Sequence, residues 1–270
     1  MNCDYHIHSL PFSPDSKAAT RLQVERAAAL GIEEICLTEH LEVNFFGDKA
    51  WNMDMAAYQA HFNALAANGV RVKFGVEAGL PCKDEDFPIL EQRLSAVPFD
   101  FVIASAHTVG GVSALDPPAY SGLSPETVFS EYITALLKGV KRLSPSLYSC
   151  VGHIDFPSRM FEDHPAPWLK YAHAPDELDA LFRHVIYLGK CIEVNTAPYR
   201  KNGDGKIPPL DWLGRYAELG GEFVTFGSDS HAPAQTGFGL QDAARRARAA
   251  GIRYYATYDG MAPILHKLKG

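Results

Sequence analysis

Short runs of apolar, β-branched or aromatic residues alternate along the chain with longer amphipathic stretches, the pattern of repeated βα units that feed a parallel sheet. The first run, Asp4 to Ser9, reads as the end of a strand. Side chains alternate faces along a strand, so His6 and His8 are expected on one face and Tyr5 and Ile7 in the opposite layer. Lys17 to Leu30 reads as an alanine-rich helix stopped by Gly31, and Glu34 to Thr38 as a strand ending in Glu39 and His40. A polar loop with Asn44, Gly47 and Trp51 leads to a helix from Asp54 to Asn68, and a third strand from Val70 to Val76 delivers Glu77.

The second half repeats the scheme. Helix Asp84 to Val97 precedes strand Phe99 to Ala104 and the tip Ser105-Ala106-His107. A Gly/Pro-containing loop, Gly110 to Leu123, then meets Ser124-Pro125-Glu126, a helix start with serine as cap and proline at the first position. That helix runs to Arg142, and strand Leu147 to Val151 ends at Gly152-His153-Ile154-Asp155. Helix Pro175 to Leu188 is followed by strand Cys191 to Asn195, a loop from Thr196 to Pro209 and helix Leu210 to Leu219. Strand Phe223 to Phe226 then ends in Gly227-Ser228-Asp229-Ser230-His231. A last helix, Leu240 to Ala250, precedes a short eighth strand, Ile252 to Ala256. No linker or internal repeat divides the chain, so residues 1–270 are expected to form one domain.

Composition narrows the function classes. A net charge of −7 gives no electrostatic footprint for nucleic acid or an anionic membrane, and no apolar run approaches a membrane span. The five cysteines are odd in number and scattered. They read as small buried hydrophobes in a reduced compartment, with cytoplasm as the expected location.

The ligand-like residues His6, His8, His40, Glu77, His107, His153, Asp229 and His231 all fall at the C-terminal ends of expected strands. In a barrel of parallel strands those ends converge on one mouth, where such folds place their active sites. Of eleven histidines six lie at these tips; the other five (His61, His164, His173, His184, His266) lie in expected helices or loops and read as surface or helix residues. Imidazoles with carboxylates and no converging thiolates suit zinc, manganese or iron. The donors outnumber the needs of one tetrahedral ion. Two or three bridged cations account for them better and point to metal-assisted hydrolysis at phosphorus or an acyl carbon.

Six segments in order, His6-Ile7-His8, Thr38-Glu39-His40, Gly75-Val76-Glu77, Ser105-Ala106-His107, Gly152-His153-Ile154-Asp155 and Gly227-Ser228-Asp229-Ser230-His231, resemble the motifs of the PHP (polymerase and histidinol phosphatase) family. Within that family the stretches Ser105 to Gly111, Val151 to Arg159, Glu193 to Lys201 and Gly227 to Pro233 look most like histidinol-phosphatases. The resemblance implies a distorted TIM-like (β/α)7 barrel, one strand fewer than the eight read from the pattern. It also implies three metals: His6, His8, Glu77 and Asp229 on the first, Glu77 bridging to a second held by His107 and His153, and Asp15, His40 and His231 on the third. Ser13-Pro14-Asp15-Ser16 by itself reads as a turn and helix cap; the resemblance makes Asp15 a ligand.

The expected chemistry is phosphomonoester hydrolysis, with a small phosphorylated metabolite as partner and L-histidinol phosphate the favoured substrate. A metal-bridging hydroxide attacks phosphorus in line, and Glu77, Asp229 and His231 stand closest to the reaction. Asp229, His231 or a metal-bound water are the candidates for protonating the leaving group. Arg159 and Arg200, each beyond a strand tip, are the candidates for forking onto phosphate, while Lys201 and Lys206 read as solvated. Glu193 and Asn195 share a face and either support the ligands or touch substrate; Glu39 either orients a ligand or sits in solvent. The alternatives are a phosphodiesterase or exonuclease, against which the acidic chain counts, and a non-catalytic metal-binding regulatory module.

Overall fold

Buried apolar runs become strands and amphipathic stretches become the helices that cover them. In the computed structural model, which describes residues 2–48, 51–66, 69–113, 122–161, 168–200 and 210–269, the side chains of residues 46 and 159–161 also lie outside the description. The chain runs β1 (Cys3–Ile7), α1 (Thr20–Ala29), β2 (Glu34–Leu41), α2 (Met55–Asn63), β3 (Arg71–Gly79), α3 (Phe87–Leu94) and β4 (Phe101–Ser105). A small hairpin, β5 (Thr108–Val109) with β6 (Val112–Ser113), falls where the sequence predicts only a loop. Then follow α4 (Pro125–Arg142), β7 (Cys150–Val151), α5 (Pro175–Tyr187), β8 (Cys191–Asn195), α6 (Asp211–Glu218), β9 (Phe223–Gly227), α7 (Leu240–Ala249), β10 (Tyr254–Asp259) and β11 (Ala262–Lys267).

The sheet order is β1-β2-β3-β4-β7-β8-β9-β10-β11, parallel up to the β9–β10 pair and antiparallel between β10 and β11. The first strand also meets the end of β9. Ile7 bridges Ser230, His8 N–H donates to Ser230 O at 2.8 Å, and Ser230 N–H donates to His6 O at 3.2 Å. The result is a TIM-like α/β sheet curled back on its first strand, with a single bridge in place of a closing ladder. Its seven covered parallel strands are those of the expected (β/α)7 arrangement.

Two expectations change. The strand expected from Leu147 to Val151 keeps only Cys150 and Val151 as ladder, because Pro145 opens a short 3₁₀ turn through Leu147. The register of β1 against β2 shifts between Asp4 and Ile7, a bulge that lets consecutive residues face the same way. Tyr5 therefore does not join the outer layer. It lies inside the sheet against Phe101, with ring centroids 5.1 Å apart, while Ile7 packs outward on Val24 and Ala27 of α1.

The eighth strand exists, displaced to Tyr254–Asp259, and it pairs with β9 only at Tyr254 and Tyr255. It then leaves the sheet's course. Tyr258 N–H donates to the Tyr5 hydroxyl at 2.8 Å, and Gly260 N–H and Met261 N–H bond to Asp100. Cys3, Cys36, Cys150, Cys191, Phe101 and Tyr258 fill the interior at this end. All five cysteines are free thiols, and Cys82 alone among them is exposed. Among the described residues no helix is long and apolar enough to cross a membrane.

Candidate metal centre

Pairing of β2 with β3 places His40 beside Glu77, and the ladder to β4 aligns Glu77 with Ile103, two residues before the strand end that leads to His107. Glu77 is buried at the middle of the strand tips. Its Oε1 lies 2.7 Å from His153 Nε2, 3.2 Å from His107 Nε2 and 3.4 Å from His6 Nε2. Its Oε2 lies 3.0 Å from His40 Nδ1 and 3.4 Å from His8 Nε2. Asp229 Oδ1 stands 3.4 Å from His8 Nε2, 3.8 Å from His6 Nε2 and 3.4 Å from His231 Nδ1. Asp15, partly exposed, reaches His231 Nε2 at 3.0 Å and His40 Nε2 at 3.5 Å. All nine residues singled out as ligands by resemblance thus meet, while His61, His173, His184 and His266 belong to helices, turns or the terminal hairpin away from the cluster.

The donor geometry fits cations better than protons. His6 Nε2 and His8 Nε2 face each other at 3.0 Å, and the His40 and His231 rings stack on His8 with centroids at 4.1 and 4.3 Å. Both buried nitrogens of His40 lie within ion-pair reach of Glu77 and Asp15 yet make no hydrogen bond. Among the described residues, four sets of donors lie within 4.8 Å of one another: His6, His8, Glu77; Glu77, His107, His153; His8, His40, His231; and His40, Glu42, His107.

Protonation without a cation is divided against itself. Burial opposes charge on His6 and His107, but the carboxylates of Glu193 and Glu77 around the one and Glu77 and Glu42 around the other raise both imidazoles well above their ordinary value. Burial and the neighbouring His40 and His231 push His8 well below its own. Burial works against the charge of Glu77 too, yet His6 and His107 hold it well below the usual carboxylate range.

A further set of groups holds the ring nitrogens that face away from the centre. Glu193 Oε1 lies 2.7 Å from His6 Nδ1, and its other oxygen accepts His153 N–H at 2.9 Å. Asn195, two residues on, donates to Glu193 and to Asp229. Glu39 is buried, not solvated. It accepts from Ser9 and Ser13, and the Ser13 hydroxyl lies 3.1 Å from His8 Nδ1. Tyr132 sits 3.2 Å from His153 Nδ1. Asp4, whose carboxyl is raised by burial against the pull of its donors, accepts from Ser228 and Gly237 and so fixes the turn that carries Asp229.

Glu42 is the residue that the sequence reading passes over. Its Oε1 is 2.6 Å from His107 Nδ1. A Cβ at Gly79 would overlap its carboxylate, so the glycine leaves the space Glu42 fills. The signal was available: Glu42 follows His40 by two residues, as His8 follows His6.

Arg200 donates to the carbonyl oxygens of Ser228 and, at 3.1 Å, of Asp229, so its guanidinium braces the Asp229 turn. The Arg159 side chain, Lys201 and Lys206 lie outside the described residues. The cavity above Glu77, about 290 Å³, is lined by ligand-like residues together with Glu42, Phe45, Trp51, Ser113 and Phe156.

The model of the PHP domain family matches residues 4–197. The histidinol-phosphatase of Lactococcus lactis subsp. lactis (strain IL1403) is 32% identical over 264 residues, spanning 96% of this chain and 94% of that protein. A probable histidinol-phosphatase of Clostridium acetobutylicum is 28% identical over 259 residues, covering 94% and 95%. The crystal structure of histidinol phosphate phosphatase from the same Lactococcus strain, complexed with zinc, L-histidinol and phosphate, superposes with a TM-score of 0.85 at 30% identity over 97% of this chain and 98% of that one. A putative histidinol phosphatase from Listeria monocytogenes shares the fold, with a TM-score of 0.65 at 22% identity over 88% and 98%.

Proposed function

The chain belongs to the PHP domain family, and from that premise we propose that it is a metal-dependent phosphomonoesterase that hydrolyses L-histidinol phosphate to L-histidinol and inorganic phosphate. The observation that carries this is the crowding of five imidazoles on the two oxygens of Glu77, in a chain alignable nearly end to end with a histidinol phosphate phosphatase solved with zinc, L-histidinol and phosphate. One domain over residues 1–270 does this work.

His6, His8, Glu77 and Asp229 hold one ion in this proposal, Glu77, His107 and His153 a second, and Asp15, His40 and His231 a third. Zinc is favoured, and manganese or iron would suit the same nitrogen and oxygen donors. Bound divalent cations supply hydroxide near neutral pH and neutralise phosphoryl oxygens. The chain's own groups do the rest. Glu193, Glu42 and the Glu39–Ser13 pair hold imidazoles in one orientation, which is what keeps donors aimed at the centre. Arg159 forks onto the phosphate. Arg200, expected to fork onto phosphate, instead braces the turn carrying Asp229 through the carbonyls of Ser228 and Asp229 and does not line the cavity. Asp229, His231 or a water on the third ion would deliver a proton to the departing alkoxide.

The test is phosphate release by zinc-loaded protein from L-histidinol phosphate, other sugar and amino-alcohol monoesters, and single-stranded DNA. Selective release from the first is expected. Cleavage of diesters alone would move the activity to a nuclease, and no turnover with any of the three metals would leave a regulatory module.

A further inference from the structure

Among the described residues the cavity is lined by four carboxylates, Asp15, Glu42, Glu77 and Asp229, and by no lysine or arginine. Asp15, Glu77 and Asp229 lie against imidazoles of the proposed metal set. Glu42 stands apart. It follows the end of β2 by one residue, its side chain is 5% exposed, and one oxygen is committed to His107. It also lines the adjoining recess with Phe45 and Trp51, so it occupies the wall between the proposed metal centre and an aromatic surface. The Phe45 and Trp51 rings lie 5.1 Å apart, and Trp51 meets His40 edge to face at 5.2 Å.

A carboxylate held in a largely buried wall favours a cationic partner, and an indole face favours a flat or cationic ring. The cavity is just under the roughly 300–1,000 Å³ usual for small-ligand sites, which suits a small metabolite and leaves little room for a longer chain. We infer that Glu42 pairs with the substrate's ammonium group while Trp51 and Phe45 seat its imidazole, so that the site selects amino-bearing heteroaryl phosphomonoesters over neutral ones. This rests on the phosphomonoesterase reading above and supplies the counter-charge that reading needs at the amino end. Glu42 is then a specificity residue as well as a support for His107.

The experiment compares kcat/KM of zinc-loaded wild-type and Glu42→Gln protein on L-histidinol phosphate and on imidazolylpropyl phosphate, the same ester without the amine. Calorimetric titration with L-histidinol and a zinc stoichiometry accompany it. At saturating zinc, which makes up for a weaker hold on His107, Glu42→Gln should lose about tenfold or more in kcat/KM on the amino ester beyond its loss on the other, with weaker L-histidinol binding. Equal losses on both esters at saturating zinc would reduce Glu42 to a support for His107 and overturn the assignment. Wild-type protein that releases nothing from L-histidinol phosphate would instead sink the activity reading and this inference with it. Should Glu42→Gln fail to fold, Glu42→Asp keeps the charge on a shorter arm. It should retain the preference in part, and full retention of binding by neutral and amino esters alike would count against the pairing.

Discussion

The Nε2 atoms of His6 and His8 face each other at 3.0 Å across one side of β1. Two neutral imidazoles can share one proton there, but Glu77 and Asp229 press on the same point from 3.4 Å to 3.8 Å. A cation satisfies all four groups at once. Removing metal should therefore cost stability as well as activity. At a free-metal level of 100 times Kd the linked stabilisation is about 2.7 kcal/mol, and for a chain of this size each kcal/mol moves Tm by roughly 2–4 °C. Scanning calorimetry before and after chelation should show a drop of several degrees, reversed by zinc; an unchanged Tm would contradict the cluster's proposed occupancy.

His107→Ala and Arg159→Ala should differ in kind. The first removes an imidazole 3.2 Å from Glu77 and should lose metal and nearly all turnover. The second should keep its metal content and lose roughly 10²–10³ in kcat/KM through weaker phosphate and transition-state binding. Metal analysis beside steady-state kinetics separates them, and equal metal loss in both would refute the division.

Glu193→Gln should fold and should bind zinc roughly 10–100-fold more weakly, because one carboxylate both faces His6 Nδ1 and accepts His153 N–H. Competition with a chromophoric chelator measures this directly. An affinity equal to wild type would show that strand packing alone orients the two imidazoles.

Gly79→Ala tests the space that Glu42 occupies. The new methyl group displaces that carboxylate, and overpacking of this kind costs about 1–3 kcal/mol. Urea unfolding should report that loss, and kinetics should show the same relative loss on the amino ester as Glu42→Gln. A variant with wild-type kinetics would mean that the carboxylate has another place to go.

The strand tips were legible because two signals coincide there: buried apolar runs that must be strands, and polar residues that break those runs at one end. His40, Glu77, His107, His153 and Asp229 could be placed in this way without knowing any pairing. Tyr5 could not, since its facing depends on a register shift against β2, a property of two strands together and not of one. Glu42 was passed over because a glutamate after a strand end reads as solvated; only the absence of a side chain at Gly79, on a different strand, lets it turn inward. Arg200 was legible as a cation near the mouth. Its bonds to the Ser228 and Asp229 carbonyls belong to tertiary packing.

The bond between Tyr5 and Tyr258 sets an order of events for the newborn protein. Tyr5 and Tyr258 stand 253 positions apart, so their bond can form only after the chain between them has been made, roughly 13–50 s at 5–20 residues per second. The strand bearing His6 and His8 meets Ser230 nearly as late. Until β9 has been made, the imidazoles of His6 and His8 must therefore wait without the backbone partner that fixes their strand, open to stray metal in the meantime.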